Sequence, residues 1–216
     1  VVNAYAATDL AASTVTGTYT LTAGGSITNS GALAITGVTT VDASSGNVTL
    51  DTTTNNFQGA VKIDGVNVTV VDAGAIDLGA STVTGTYAVT ATTGGDITDS
   101  GVLTITGTSA FTVAGGRNIT LDQSSTFSST VTFASSGTIA SVTINDSNAF
   151  DLKTLTTTGN LTVTAGGNIT DSGTVTVGGN LAATTDANNG VIDLGTLAVD
   201  GTIALVTNGI GAATVV

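Results

Sequence analysis

The chain has 216 residues, of which 47 are Thr and 29 are Gly, and it contains no Pro, Cys, Met, Trp or His. All 15 acidic residues are Asp, and Lys62, Arg117 and Lys153 are the only cations, which gives a formal charge of −12. That composition excludes thiol chemistry, disulfides, Cys/His zinc sites and a Ser-His-Asp triad, and it leaves no cationic surface for nucleic acid.

Hydrophobic residues make up 41% of the chain, enough to bury a core and too many for a disordered acidic tail. Charged residues are only 8%, against roughly 25% in an ordinary domain, so solubility rests on Thr, Ser, Asn and Asp. No apolar run approaches the ~18 residues that span a bilayer, so no membrane insertion is expected. The first residues, Val1-Val2-Asn3-Ala4-Tyr5, carry neither an initiator Met nor a signal-peptide pattern. The chain therefore reads as a piece of a longer protein or fibre. Few Lys, no Cys and abundant Thr, Gly and Asn lean towards an extracellular bacterial surface protein.

In chain order, the first predicted strands lie within Ser13-Thr14-Val15-Thr16-Gly17-Thr18-Tyr19 and, after the turn Asn29-Ser30-Gly31, at Leu33-Ala34-Ile35. Val48-Thr49-Leu50 and Val68-Thr69-Val70 follow. Each places apolar residues at i and i+2, the period of a half-buried strand. Ser81-Thr82-Val83-Thr84-Gly85-Thr86-Tyr87 then repeats the first segment, and Asn118-Ile119-Thr120-Leu121-Asp122 repeats Asn47 to Asp51. The motif Gly24-Gly25-Ser26-Ile27-Thr28-Asn29-Ser30-Gly31 returns at Gly94 to Gly101 and again at Gly166 to Gly173. Val142 to Leu152 echoes Val68 to Leu78. Offsets of 68 to 74 residues divide the chain into about three copies, over 10–79, 80–153 and 154–216, of one segment covering 1–216. No stretch has the pattern of an amphipathic helix. With 4% aromatics there is little to fill a propeller or sandwich core, so the expected fold is all-β, a parallel β-helix (β-solenoid) of about nine or ten coils. One coil cannot bury enough surface to offset its own ordering, so stacking is obligatory.

Three pieces carry a family resemblance: Asn55 to Val61, Asp72-Ala73-Gly74-Ala75-Ile76-Asp77-Leu78-Gly79, and Leu161 to Thr170. They resemble the repeats of filamentous-haemagglutinin-like bacterial adhesins. The resemblance implies a right-handed parallel β-helix secreted by a two-partner or autotransporter-like route. It also implies service as a surface fibre or adhesin stalk. The expected function is accordingly a non-catalytic structural and adhesive segment, with glycans or proteins of a host or neighbouring cell as partners. The lack of a capping element at Val1 or Val216 leaves the ends open to self-association into a filament.

Several residues invite other readings. Asp72 and Asp77 recur in register as Asp146 and Asp151, and stacked carboxylates at coil corners would be calcium ligands. The preferred reading is that they are turn residues capping backbone N–H groups, with no cofactor. A carbohydrate-active β-helix enzyme, lyase or glycosidase, is the alternative from a different class, but it needs a single converging carboxylate pair, whereas these Asp repeat. The Thr-x-Thr segments suggest an ice-binding array, set against ordinary outward-facing threonines. Sequons at Asn47, Asn67, Asn118, Asn160 and Asn168 follow from turn asparagines preceding strands. Tyr5, Tyr19, Tyr87 and the five Phe are expected in the core or at turns.

Overall fold

The structure, a computed structural model, describes residues 2–4, 6–43 and 45–216. Every described element is a β-strand, most of three to five residues, and every strand pair is parallel. The chain winds into a β-solenoid of about ten turns, as the alternation and the repeats predict. Thr8, Ile27, Val48, Val68, Tyr87, Ser109 and Val131 stand one above the next in register, so a coil takes about 20 residues. At the ~4.8 Å spacing of paired strands, ten coils stack to roughly 45 Å.

Five sheets form the walls. A thirteen-stranded sheet runs the length of the stack, and a seven-stranded sheet ends at Val131–Ser135. A four-stranded and a three-stranded sheet cover the later coils, and another three-stranded sheet covers the first. Strands alternate as expected: Leu21, Val41 and Ile63 in one column, and Val48, Val68 and Tyr87 in another, are buried while their neighbours face out. The core holds one aromatic cluster, in which Phe111 meets Tyr87 edge-on at 6.0 Å and Phe127 edge-on at 6.1 Å, and stacks on Phe133 at 6.2 Å. Edge-to-face contacts of this kind add to the area they bury. Tyr19 is half-buried against the core, and Tyr5 lies outside the described residues.

The corners are closed by small residues and by amide ladders. Asn47 Oδ1 accepts from Asn67 N at 3.1 Å, and Asn67 Oδ1 accepts from Thr86 N at 2.9 Å. Asn160, Asn180 and Thr202 repeat the arrangement, with both bonds at 2.9 Å. At Gly37 a Cβ would sit 2.6 Å from the carbonyl carbon of Gly17, so only glycine allows the coils to close to strand spacing there.

The repeat and the coil do not share a period. Thr8-Asp9-Leu10, Ile27-Thr28-Asn29 and Val48-Thr49-Leu50 stack on three successive coils of the seven-stranded sheet, and Val68 opens a fourth. Eight residues further along, the motif begins again at Ile76-Asp77-Leu78, now on the thirteen-stranded sheet. The same advance from Val142 starts the third copy at Phe150-Asp151-Leu152, on the four-stranded sheet. Each copy is thus three coils and about a third of a turn, and each faces a different side.

Candidate functional site

The four aspartates singled out as calcium candidates fall into two pairs with different work. Asp72 and Asp146 are buried. Asp72 accepts from the backbone N–H of Phe57 at 2.7 Å and of Gly74 at 2.6 Å. Asp146 accepts from Phe127 at 3.1 Å and Asn148 at 3.0 Å. Burial raises both carboxyls above the usual carboxylate range, and the N–H donors pull against it. Each ties the strand of one coil to the turn of the next.

Asp77 and Asp151 face outward and receive hydroxyls from the coil that follows. Ser100 donates to Asp77 at 2.7 Å, and Ser172 donates to Asp151 at 2.8 Å. Asp9 belongs to the same set and was missed by the sequence reading: Ser30 donates to it at 2.6 Å and Thr28 at 3.1 Å. The available signal was the Asp-Leu pair that precedes each Ile-Thr-x-Ser-Gly by about 20 residues. Hydrogen bonds from Ser30 lead in holding Asp9 below its ordinary pKa. For Asp151, burial pushes upward, but the Lys153 ammonium at 2.5 Å and the Ser172 hydroxyl outweigh it and hold the carboxyl low. Among the described residues, no group of three or more His, Cys, Asp or Glu side chains is placed to hold a metal ion.

Four of the sequon asparagines, Asn47, Asn67, Asn160 and Asn168, accept through Oδ1 from a backbone N–H of the next coil. Asn118 instead donates through its own N–H and Nδ2 to Asp96. These side chains serve the stack. Thr39, Thr157 and Thr185 are buried, while most other threonines lie on outward positions, and Thr82, Thr104 and Thr126 pair in one short column.

The concavity of interest lies at a seam between the seventh and eighth coils. A cleft of about 520 Å³ is lined by Phe127 to Val131 on one coil and by Asp146, Asn148 to Asp151 and Lys153 on the next. A smaller one of about 180 Å³ continues it beside Phe133, Ile139 and Leu155. Two of the four candidate aspartates therefore reach one cleft, Asp146 as a backbone cap and Asp151 as the partner of Lys153. Ser128 and Ser129 also line it, but with no His in the chain no imidazole is available to activate either hydroxyl.

The seam arises because the junction of the second and third copies lacks contacts that close the junction of the first and second. At the earlier junction, Gly79 N donates to Val61 O at 2.9 Å and Ile63 N donates to Ser81 Oγ at 2.9 Å. One repeat on, Val131 and Phe133 stand where Val61 and Ile63 stand, and Lys153 and Leu155 replace Gly79 and Ser81. Leu155 has no hydroxyl to offer. Val61–Gly65 pairs with both Ile76–Leu78 and Ser81–Val83, whereas among the described residues Val131–Ser135 pairs only with Ser109–Val113.

The chain is a repeat protein built as a parallel β-solenoid, and side chains spent on joining one coil to the next are compatible with a structural role. The chain belongs to a family of repeats of unknown function (DUF5649), whose family model matches it three times, over residues 1–64, 65–134 and 140–205. No curated protein is detectably similar to the chain, and neither is any solved structure.

Proposed function

We propose that this chain is a non-catalytic, structural and adhesive segment of a secreted bacterial surface fibre. The fibre is extracellular, extends end to end, and contacts glycans or proteins of a host or neighbouring cell. The observation that carries the reading is where the repeated polar residues go. Asp9, Asp77 and Asp151 each bind a serine of the next coil, and Asp72 and Asp146 each cap backbone of an adjoining one. Repetition here maintains a rod, which is what a stalk requires. The absence of Cys fits a stalk whose cohesion does not depend on redox state, and the net charge of −12 disfavours lateral clumping.

An antibody raised against residues 1–216 tests the location and form together. On intact source cells viewed by negative-stain electron microscopy, gold label is expected along filaments outside the envelope. Label that appears only after the cells are permeabilised overturns the proposal.

A further inference from the structure

The seam interrupts a regular series of backbone bonds. The N–H groups of Thr8, Ile27, Val48, Val68, Tyr87 and Ser109 donate in turn to the carbonyls of Ser26, Asn47, Asn67, Thr86, Thr108 and Thr130 at 2.8–2.9 Å. Val131 is next in the column, and among the described residues no partner strand lies beyond it. Ser136 N donates to Val113 O at 3.2 Å, so in the alternating geometry of a parallel ladder residues 132, 134 and 136 bond the preceding coil. The N–H and C=O groups of Val131, Phe133 and Ser135 are therefore turned towards the seam.

The strands across the gap are in the same condition. Among the described residues, Phe150–Leu152 pairs only with Ile169–Asp171, and Leu155–Thr157 pairs with Val175–Val177 and meets the preceding coil only through the bridge from Thr157 to Ile139. The stack is closed on either side of the opening. Ser147 N donates to Ser125 O at 2.7 Å, and Ile139 bridges Thr157. Between these points 13 residues, Thr126 to Thr138, face 9 residues, Asn148 to Thr156, and the mismatch keeps the edges apart. Phe133 points inward like Phe111 above it, yet it is half-buried where Phe111 is fully buried. The smaller cleft beside Phe133 is about the size of one branched aliphatic side chain.

We propose that the seam is a strand-addition site for an extended peptide from a partner protein, aliphatic at alternate positions and basic at its flanks. Its backbone pairs with the edge Val131–Ser135 and continues the interrupted ladder. One side chain fills the space beside Phe133, Ile139 and Leu155. The basic flanks answer the charge of the site: Asp146 and Asp151 line the larger cleft, its one cation, Lys153, is already paired with Asp151 at 2.5 Å, and the whole chain carries −12. Away from the end coils, the described walls of the stack are otherwise closed by their own ladders, so the open edge selects a strand over a globular partner.

A fluorescein-labelled heptapeptide that sets the strand sequence of Leu161–Ala165, aliphatic at alternate positions, between two lysines is a direct probe. Fluorescence anisotropy is expected to show saturable binding to the intact chain. N-methylation of alternate peptide nitrogens on the pairing edge should abolish it, because backbone donation is the main contact. The double variant Lys153→Gly, Leu155→Ser restores to the third copy the residues that close the earlier junction. It should weaken binding by more than about tenfold, or roughly 1.4 kcal/mol, while melting at the same temperature or higher. Equal binding by the N-methylated or a scrambled peptide overturns the proposal, as does no binding at all. So does a dimer, seen by sedimentation, that the double variant abolishes and the peptide does not displace: the occupant would then be a second copy of the chain.

Discussion

Replacing Asp99 with Asn should stabilise the protein above neutral pH and leave it unchanged in acid. Asp99 is 7% exposed. Its Oδ1 accepts from Asp122 N at 2.8 Å and from Gln123 N at 3.4 Å, while its Oδ2 is buried without a partner. Burial, with smaller contributions from the charges of Asp122 and Asp77, pushes the carboxyl up to about 6. The first copy carries Asn29 at the same place in the motif, and Asn29 Nδ2 donates to Gly31 O at 3.0 Å within its own turn. An asparagine at position 99 would find Gly101 O in the matching position. A folded-state value of about 6 against 3.8 for the ordinary side chain means that the folded chain holds the proton more tightly. The favourable contribution is complete below about pH 4 and is lost as the pH rises through 6. At 1.36 kcal/mol per unit the loss at pH 8 is at most about 3 kcal/mol, or a rise in melting temperature of very roughly 5–10 °C on its removal. Urea unfolding of both proteins at pH 8 and pH 4 measures it. Amide exchange at Leu103 and Asp122 adds a local readout, since a long repeat array opens in parts. The reasoning fails if the variant gains nothing at pH 8, or gains as much at pH 4.

Removing the carboxylate of Asp72 by Asp72→Ala strands the N–H groups of Phe57 and Gly74 and should cost about 2–4 kcal/mol, read as a lower urea midpoint. Gly37→Ala drives a Cβ to 2.6 Å from Gly17, whereas Gly17→Ala meets nothing within 4 Å. The first should therefore destabilise by several kcal/mol and the second by less than about 1 kcal/mol, and equal effects would contradict the stacking argument. Phe111→Ala empties the centre of the aromatic cluster and should lower stability by about 3–5 kcal/mol, checked by thermal melting. Because the carboxylates of Asp72, Asp77, Asp146 and Asp151 already accept protein donors, a chelator should leave the melting midpoint unmoved. A lowered midpoint would bring calcium back.

The strands were legible because their signal is local. Val48-Thr49-Leu50 and Leu161-Thr162-Val163 alternate, and the structure makes strands of both. Stacking was legible because no single coil can bury its own face. The turn of each copy onto a new side was harder to read, since it depends on the small difference between coil length and repeat length, which no one segment displays. The seam was hidden for a related reason. Lys153 and Leu155 look like ordinary variation until Gly79 and Ser81 are seen bonding Val61 and Ile63. Their meaning lies in a contact made across a whole coil, and strand periodicity carries no record of it. Asp72 and Asp146 cap backbone N–H groups as expected of turn carboxylates, but Asp77 and Asp151 lie within strands and accept serine hydroxyls instead. Asp9 went unnoticed because its partner serine lies 21 positions away.

Because every copy of the motif is turned about a third of the way round from the last, a receptor that recognises one copy finds its neighbour roughly 15 Å along the axis and on another side. Two flat binding surfaces held side by side cannot grip consecutive copies at once. Avidity from a single rod would require a partner that wraps around it, or several rods presenting the same side together.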